Sequence, residues 1–367
     1  AFPRGGATLG ADEYLLTSST TQSTVENVIS SLTNDTRAVG LAWIISSAIF
    51  TTYSTTRFLK YDRDLTRKER RSKSTAFIDR PNLLTLYRFS GSLLIGLLLH
   101  TDIFTGLAPR IRKTIASARD FRIPAVFLFI ANYSNSIALD RIGIPLTYTS
   151  KCGIPLITAL LTFILDGKDA LPGNLTLSSL LVIASGIALA SWNSPQFETF
   201  GFICALISCT TQAALNVTSK GVMKRTMVGG SEAQRSMVSV AFVISIITVV
   251  FTKFSKYASY KWNKTIPSDK PTMYKRKKAI QFFPSPPAWI SVFAILAYHT
   301  EYSLSFMFVR LVEPITFGTC DAIRRLSIIV TGQKMFGGAN FTNMNLVGIA
   351  LALAGALLYS ITNAMNL

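Results

Sequence analysis

The chain has 367 residues, of which 49% are apolar and only 15% are charged. A soluble domain carries about a quarter of its residues as charge, so this composition excludes an ordinary soluble enzyme and a soluble nucleic-acid-binding protein. The charges are unbalanced as well, with 37 Lys and Arg against 19 Asp and Glu. A chain this apolar is predicted to be an integral membrane protein with the lipid bilayer as its surroundings.

The residues that catalysis and metal binding need are scarce. The sequence holds two His and four Cys, and none of them are spaced as metal ligands are. The Gly-rich phosphate loop and the Gly-x-Ser-x-Gly motif are missing too. We therefore predict no metal, no other cofactor and no enzymatic activity.

Apolar segments follow one another along most of the chain. Residues 1–37 are rich in Ser and Thr and are predicted to be a disordered tail. Because a membrane helix needs about 20 mostly apolar residues, we predict ten spans. They lie at about 38–58, 83–101, 122–140, 143–165, 174–193, 197–220, 232–252, 287–310, 315–337 and 343–363. A basic loop is predicted at 253–286.

The second half of the chain repeats short pieces of the first. Pro145-Leu146-Thr147-Tyr148-Thr149-Ser150 in span four resembles Pro314-Ile315-Thr316-Phe317-Gly318-Thr319 in span nine. The five residues Gly186–Ala190 in span five recur as Gly348–Ala352 in span ten. Gly348, Ala352 and Ala356, four residues apart in span ten, form a stripe of small residues that predicts close helix packing; packing within the monomer and dimerisation both fit the stripe, and we favour the former.

These matches divide the chain into two five-helix repeats, 38–193 and 197–363. Because five is odd, the second repeat enters the membrane with the opposite orientation. The predicted fold is thus all-α, an integral membrane protein of ten transmembrane helices in two inverted repeats. This architecture is typical of secondary transporters, which bind substrate at the repeat interface.

Three cations lie near the middle of predicted spans: Lys151 in span four, and Arg324 and Arg325 in span nine. A charge at the bilayer centre costs at least ~2.5–3.5 kcal/mol, so such residues normally face an interior and serve a function. The repeat places spans four and nine in equivalent positions, so their cations converge on one cavity. Since Arg and Lys bind phosphate well, we predict a phosphate-binding pocket.

The alternative is that these cations are structural and neutralised by acids. Asp321 lies three and four residues before the two arginines, on the same helical face. Glu301 in span eight is a second candidate for a counter-charge or a coupling group. We favour substrate binding because two acids do not cancel three cations.

Other polar residues share the faces of these helices. Thr147 and Tyr148 lie one turn before Lys151, and Tyr148 either stacks on a substrate or packs. Asn132 and Asn135 form a polar stripe on span three, as ligand contacts or as hydrogen bonds between helices. Arg88 in span two is left unassigned.

Two of these helices resemble a known family. Pro145-x-Thr147-Tyr148-x-x-Lys151-x-Gly153-x-Pro155, and Val312-x-Pro314-x-Thr316 followed by Arg324-Arg325, are similar to the fourth and ninth helices of the sugar-phosphate/phosphate translocators. That group and the nucleotide-sugar transporters belong to the drug/metabolite transporter superfamily. The resemblance implies ten helices in two inverted halves, in agreement with the count above.

The resemblance also implies roles. Lys151, Arg324 and Arg325 take the positions that hold the substrate phosphate. Several residues depart from the family pattern: Tyr148 and Asn132 replace His, Arg324 replaces Lys, Asp321 replaces Asn, Asn135 replaces Thr or Ala, and Glu301, beside Tyr302, replaces Tyr. The residues that bind the phosphate are thus retained, whereas those expected to contact the rest of the substrate differ.

The implied function is antiport by alternating access. An anionic sugar phosphate or nucleotide sugar exchanges for phosphate or a nucleoside monophosphate, in the Golgi or ER membrane or the plastid envelope. The alternatives are a proton-coupled organic-anion transporter and a non-transporting membrane receptor or scaffold. Nucleic acid is not an expected partner, and the oligomeric state is left open.

Overall fold

A computed structural model of the chain describes residues 36–61, 80–98, 107–166, 173–192, 197–265, 286–312, 314–336 and 342–365. The predicted tail at 1–37 lies outside these ranges except for its last two residues, which begin the first helix. The described residues form helices and connecting turns and include no strand. The all-α prediction is therefore confirmed.

Twelve helices follow one another within the described residues. They are α1 Thr36–Lys60, α2 Arg80–Leu98, α3 Leu107–Ala118, α4 Arg122–Arg141, α5 Gly143–Lys151, α6 Ile154–Asp166, α7 Asn174–Ser191, α8 Thr199–Thr226, α9 Gly230–Thr265, α10 Ala288–Leu311, α11 Pro314–Phe336 and α12 Asn343–Met365. Each predicted span overlaps a helix, and most agree with it to within a few positions; spans four, six and seven differ more. The short helix α3 was not predicted, and within α1 the segment Ser46–Thr51 is π-helical.

The predicted fourth span, 143–165, is interrupted. Helix α5 ends at Lys151, Cys152 and Gly153 form a turn, and α6 begins at Ile154. The cause is Pro155, whose nitrogen has no hydrogen to donate to the carbonyl of Lys151, four residues earlier. The prediction of one continuous span was wrong at this point.

The seventh span also differs from its prediction. Helix α9 continues to Thr265, so the first part of the predicted basic loop at 253–286 is helical. The part beyond residue 265 lies outside the described residues, apart from residue 286. The polar end of this helix follows its apolar part without a break.

Four described segments are long and apolar enough to cross a membrane: α1, α7, α8 and the Gly230–Ser255 part of α9. Large apolar side chains on the outer surface fit that environment, among them Leu181, Ile247 and Phe251, which are 65%, 61% and 70% exposed. The interior, by contrast, holds polar and charged side chains such as Arg88 and Asn132. This distribution suits an integral membrane protein, in which polar groups face other helices.

Helices α7 and α12 pack at very short range. A Cβ atom added to Gly186 would lie 2.3 Å from the backbone nitrogen of Ala352, and one added to Gly348 would lie 2.2 Å from that of Ala190. The residues of the repeated pentapeptide therefore face each other. The prediction that this stripe of small residues packs within the monomer is confirmed.

Candidate substrate-binding site

The site is built where the broken fourth span meets α11. Helix α5 packs against α11, and α11 also contacts α1. The five ionisable residues Lys151, Glu301, Asp321, Arg324 and Arg325, which we call the cation cluster, lie at this junction. The three cations that the sequence predicts to converge are brought together here.

Arg325 joins the two helices. Its side chain is buried, and its Nη1 donates a hydrogen bond to the backbone carbonyl of Lys151. Its Nη2 forms an ion pair with Asp321, four residues earlier on α11. The carbonyl that Arg325 binds is the one that Pro155 leaves without its helical donor.

Arg324 is bound on three sides. Its Nη2 lies 2.6 Å from Asp321 Oδ1, and its Nη1 donates to Glu301 Oε1 at 2.9 Å. Its Cζ also lies 4.9 Å from the centre of the Trp43 ring. Carboxylates from α11 and α10 and an aromatic face from α1 thus surround one guanidinium group.

Glu301 connects the cluster to the π-helical part of α1. Ser47 Oγ donates a hydrogen bond of 2.9 Å to Glu301 Oε1, the oxygen that also accepts from Arg324. A π-helical turn is rare and is often found at functional sites. This one, Ser46–Thr51, includes the residue that binds the carboxylate.

Lys151 differs from both arginines. Its Nζ lies 5.3 Å from the centre of the Tyr148 ring. Within the described residues, no carboxylate forms an ion pair with it. Two acids neutralise two arginines, so the cluster retains one positive charge, and the lysine side chain carries it.

The remaining predicted residues take different positions. Tyr148 is buried beneath the Lys151 ammonium. The Thr147 hydroxyl donates to the carbonyl of Gly143 at 2.7 Å, within its own helix. Asn132 Nδ2 donates to Tyr302 OH at 3.3 Å and to Leu128 O at 2.9 Å.

Asn135 is the predicted residue with spare hydrogen-bonding capacity. It is buried, and its Oδ1 has no hydrogen-bond partner in the described part of the chain.

Asn132 and Tyr302 form one polar contact between α4 and α10, as the hydrogen-bonding interpretation of the stripe expects. Tyr302 in turn packs against Tyr298, with ring centres 4.4 Å apart and ring planes tilted by 40°.

Sequence reasoning missed three residues at this site. Trp43 and Ser47 were counted only as part of an apolar span, and nothing in their spacing signals a contact with α10 or α11. Arg88, which we left unassigned, is 4% exposed and lies with its Cζ 5.3 Å from the centre of the Tyr298 ring. The sequence did contain a signal for Arg88, because an arginine inside an apolar span is unusual.

The chemistry available here is anion binding. In the described residues, no group of three or more His, Cys, Asp or Glu side chains is placed to hold a metal ion. A half-buried ammonium without a counter-ion attracts an anion strongly, because little water is present to screen it. The aromatic face of Tyr148 beside it offers a surface for the rest of a ligand.

The fold and the site define a helical integral membrane protein with a cationic interior. Residues 75–360 match the Triose-phosphate Transporter family. The chain belongs to this family. The family resemblance that we inferred from predicted spans four and nine is therefore confirmed.

The chain is similar in sequence to several plant proteins that are named as phosphate translocators. The chain is 28% identical over 237 residues to the phosphoenolpyruvate/phosphate translocator 2, chloroplastic, of Arabidopsis thaliana, covering 64% of this chain and 58% of that protein. It is also 28% identical over 237 residues to the glucose-6-phosphate/phosphate translocator 2, chloroplastic, of the same plant, covering 64% and 56%. Over 286 residues it is 25% identical to the triose phosphate/phosphate translocator, non-green plastid, chloroplastic, of Brassica oleracea var. botrytis, covering 76% and 65%. The chain thus spans less than two thirds of the length of these relatives.

Proposed function

We propose that this protein is a secondary-active antiporter that exchanges a phosphorylated metabolite for inorganic phosphate across a plastid envelope membrane. The observation that carries the proposal is Lys151, a half-buried cation at the break between α5 and α6 that lacks a carboxylate partner within the described residues. Family membership supports transport. The names of the relatives support a phosphorylated substrate and phosphate as counter-anion.

The positive charge of the cation cluster gives a physical reason for exchange. An uncompensated charge makes closure of the site around an empty cavity unfavourable, because closure removes the water that solvates the charge. A bound phosphate removes that penalty. The loaded site therefore changes sides readily, whereas the empty site does not, and transport becomes exchange.

Substrate phosphate is proposed to bind to Lys151 and to the guanidinium groups of Arg324 and Arg325. The acids that hold the two arginines compete with it. Phosphate can displace Glu301 from Arg324, because Glu301 comes from a different helix, whereas Asp321 lies on α11 with both arginines. In this proposal Asp321 orients the arginines and Glu301 is the exchangeable counter-charge.

The contacts between helices support two inverted repeats. A two-fold exchange of α1 with α8, α2 with α9, α4 with α10, α5 and α6 with α11, and α7 with α12 converts most of the contacts between these helices into one another; the contacts of α3 have no counterpart. The contact of α4 with α8 becomes that of α10 with α1, and the contact of α4 with α9 becomes that of α10 with α2. The contacts of α2 with α9, α5 with α11 and α7 with α12 map onto themselves. We propose that ten membrane-crossing segments are arranged in this way, with the site between the repeats.

The names of the relatives favour one of the substrate classes and one of the membranes that the sequence left open. Their names include phosphoenolpyruvate, glucose 6-phosphate and triose phosphate, and all carry the word chloroplastic. They give no support to a nucleotide-sugar substrate or to the Golgi or ER membrane. A phosphorylated three- to six-carbon metabolite is accordingly the proposed substrate class.

Exchange in liposomes tests the proposal. The purified chain is reconstituted in liposomes preloaded with phosphate, and uptake of labelled phosphate is measured; parallel liposomes contain no internal anion. Preloading is expected to raise the rate at least tenfold, and external phosphoenolpyruvate or triose phosphate to compete. Equal rates with and without internal phosphate would contradict antiport.

A second candidate is proton-coupled transport of an organic anion, and the placement of Glu301 favours it over a receptor or scaffold role. This carboxylate forms an ion pair with Arg324, so its protonation would remove the charge that holds the guanidinium, while Ser47 would keep an acceptor. The same liposomes separate the two mechanisms. A pH gradient without internal phosphate drives uptake only under proton coupling.

A further inference from the structure

Arg88 is a fourth cation in the interior, and the cation cluster does not include it. It lies in α2, its side chain is 4% exposed, and it contacts two other helices. One Nη atom donates to Thr55 Oγ1 on α1, and its Cζ lies 5.3 Å from the centre of the Tyr298 ring on α10. The residue is thus held at a junction of three helices.

The charge of Arg88 is poorly compensated. Within the described residues no carboxylate forms an ion pair with it, and its Nε has no hydrogen-bond partner. The face of a tyrosine ring and one hydroxyl do not replace a counter-ion, since a buried arginine has five donors to satisfy. A buried guanidinium that has no carboxylate partner among the described residues, and whose Nε has no hydrogen-bond acceptor there, is suited to bind an anion.

Arg88 is linked to the cation cluster through two helices. The Tyr298 ring that it contacts lies 4.4 Å, centre to centre, from the ring of Tyr302, which follows Glu301 along α10. Arg88 also donates to Thr55 on α1, the helix whose Ser47 binds Glu301. Arg88 therefore packs against the same two helices that hold the carboxylate of the cation cluster.

We propose that Arg88 binds the second anionic group of a substrate that carries two, while Lys151 and the cluster arginines bind its phosphate. This inference rests on the proposed function for the phosphate end only. It assigns the specificity of the site to phosphorylated carboxylic acids over phosphorylated sugars, because only the former present a carboxylate to Arg88. The planar guanidinium matches that carboxylate, and the adjacent ring of Tyr298 holds the guanidinium in place.

A neighbouring arginine provides a matched control. Arg80 also lies in α2, is 7% exposed, and donates from Nη1 to the carbonyl of Leu59 at 3.1 Å. Replacing either residue with Gln removes one buried positive charge and keeps a hydrogen-bonding amide. Arg88→Lys keeps the charge without the planar fork.

The test uses ligand-induced thermal stabilisation of the full chain in detergent, which reads binding without requiring transport. Half-saturating concentrations are measured for phosphoenolpyruvate, 3-phosphoglycerate, triose phosphate and inorganic phosphate. In Arg88→Gln the ratio of the value for phosphoenolpyruvate to that for inorganic phosphate is expected to rise about tenfold or more. Arg88→Lys is expected to restore part of that ratio, and Arg80→Gln to leave it within twofold.

Other outcomes overturn the assignment. A ratio unchanged in Arg88→Gln, or changed equally in Arg80→Gln, shows that Arg88 is structural. Wild-type protein that is stabilised by none of the four compounds overturns both this inference and the phosphate site. A third outcome separates the two proposals. If the wild-type protein binds the compounds and Arg88→Gln raises the ratio as expected, but liposomes show no exchange, the inference stands and only the proposed antiport is overturned.

Discussion

The guanidinium of Arg325 donates to the backbone carbonyl of Lys151, across the contact between α11 and α5. The carbonyl is available because residue 155 is proline and supplies no N–H group. Arg325 therefore caps the carboxyl end of α5, where Pro155 breaks the helix, and fixes the position of the Lys151 backbone. The side chain of Lys151 takes no part in this contact and remains available to a ligand.

The link between Arg325 and the helix break can be measured with a double-mutant cycle. Arg325→Gln is expected to lower the melting temperature strongly in the wild-type background. The loss is expected to be smaller in Pro155→Ala, where residue 155 again donates to Lys151. The difference corresponds to about 1.5–3 kcal/mol, the net contribution of a charge-assisted hydrogen bond. Equal losses in both backgrounds would show that the contact contributes nothing to stability.

Asp321 is predicted to be essential for folding. Asp321→Asn leaves the buried guanidinium groups of Arg324 and Arg325 without their shared carboxylate. Breaking a buried ion pair in this way costs about 3–5 kcal/mol. The pair of Arg141 and Glu198 is the control, because its side chains are 49% and 40% exposed. Glu198→Gln is expected to cost about 0–1 kcal/mol, and a similar loss in both variants would contradict the structural role of Asp321.

Glu301 is predicted to compete with substrate for Arg324. Glu301→Gln keeps an acceptor for Ser47 but removes the negative charge, so Arg324 becomes more available to phosphate. The apparent KM for phosphate exchange is expected to fall about threefold to tenfold, which corresponds to about 0.7–1.4 kcal/mol and is less than the roughly 1.5–3 kcal/mol of a full charge-assisted hydrogen bond. Complete loss of exchange in this variant would instead favour the proton-coupled mechanism.

The contact between α7 and α12 is predicted to tolerate no side chain. Gly186→Ala and Gly348→Ala each place a Cβ less than 2.5 Å from backbone atoms of the facing helix. Both are expected to lower the melting temperature by several degrees. Gly221 is the control, because a Cβ there meets nothing within 4 Å. Alanine favours a helix more than glycine does, so a loss in Gly221→Ala as large as in the other two variants would show that the α7–α12 contact does not explain the effect.

Much of the helical arrangement was accessible from the sequence. The apolar stretches gave the positions of the helices, because a membrane helix must be both long and apolar. The small residues that begin at Gly348 predicted a closely packed face on the last helix, but that this face packs against Gly186 of α7 came from the structure. The interruption after Lys151 was signalled by Pro155, but a proline inside an apolar run does not show whether a helix bends, ends or continues.

The contacts of the charged residues could be predicted only in part from the sequence. Asp321 pairs with Arg324 and Arg325 as helical spacing predicts, because all three lie on one helix. Ser47 and Trp43 reach Glu301 and Arg324 through contacts between distant segments. Helical periodicity carries no information on which side chains of separate helices meet, so the residues that hold Arg324 from α1 had to come from the structure.

The central claim is that Lys151 serves transport and not stability. Lys151→Met removes a buried charge that has no carboxylate partner among the described residues and leaves no acid without its cation. We predict that this variant melts at or above the wild-type temperature while phosphate exchange in preloaded liposomes falls about tenfold or more. A variant that exchanges phosphate at the wild-type rate, or one that fails to fold, would contradict the claim.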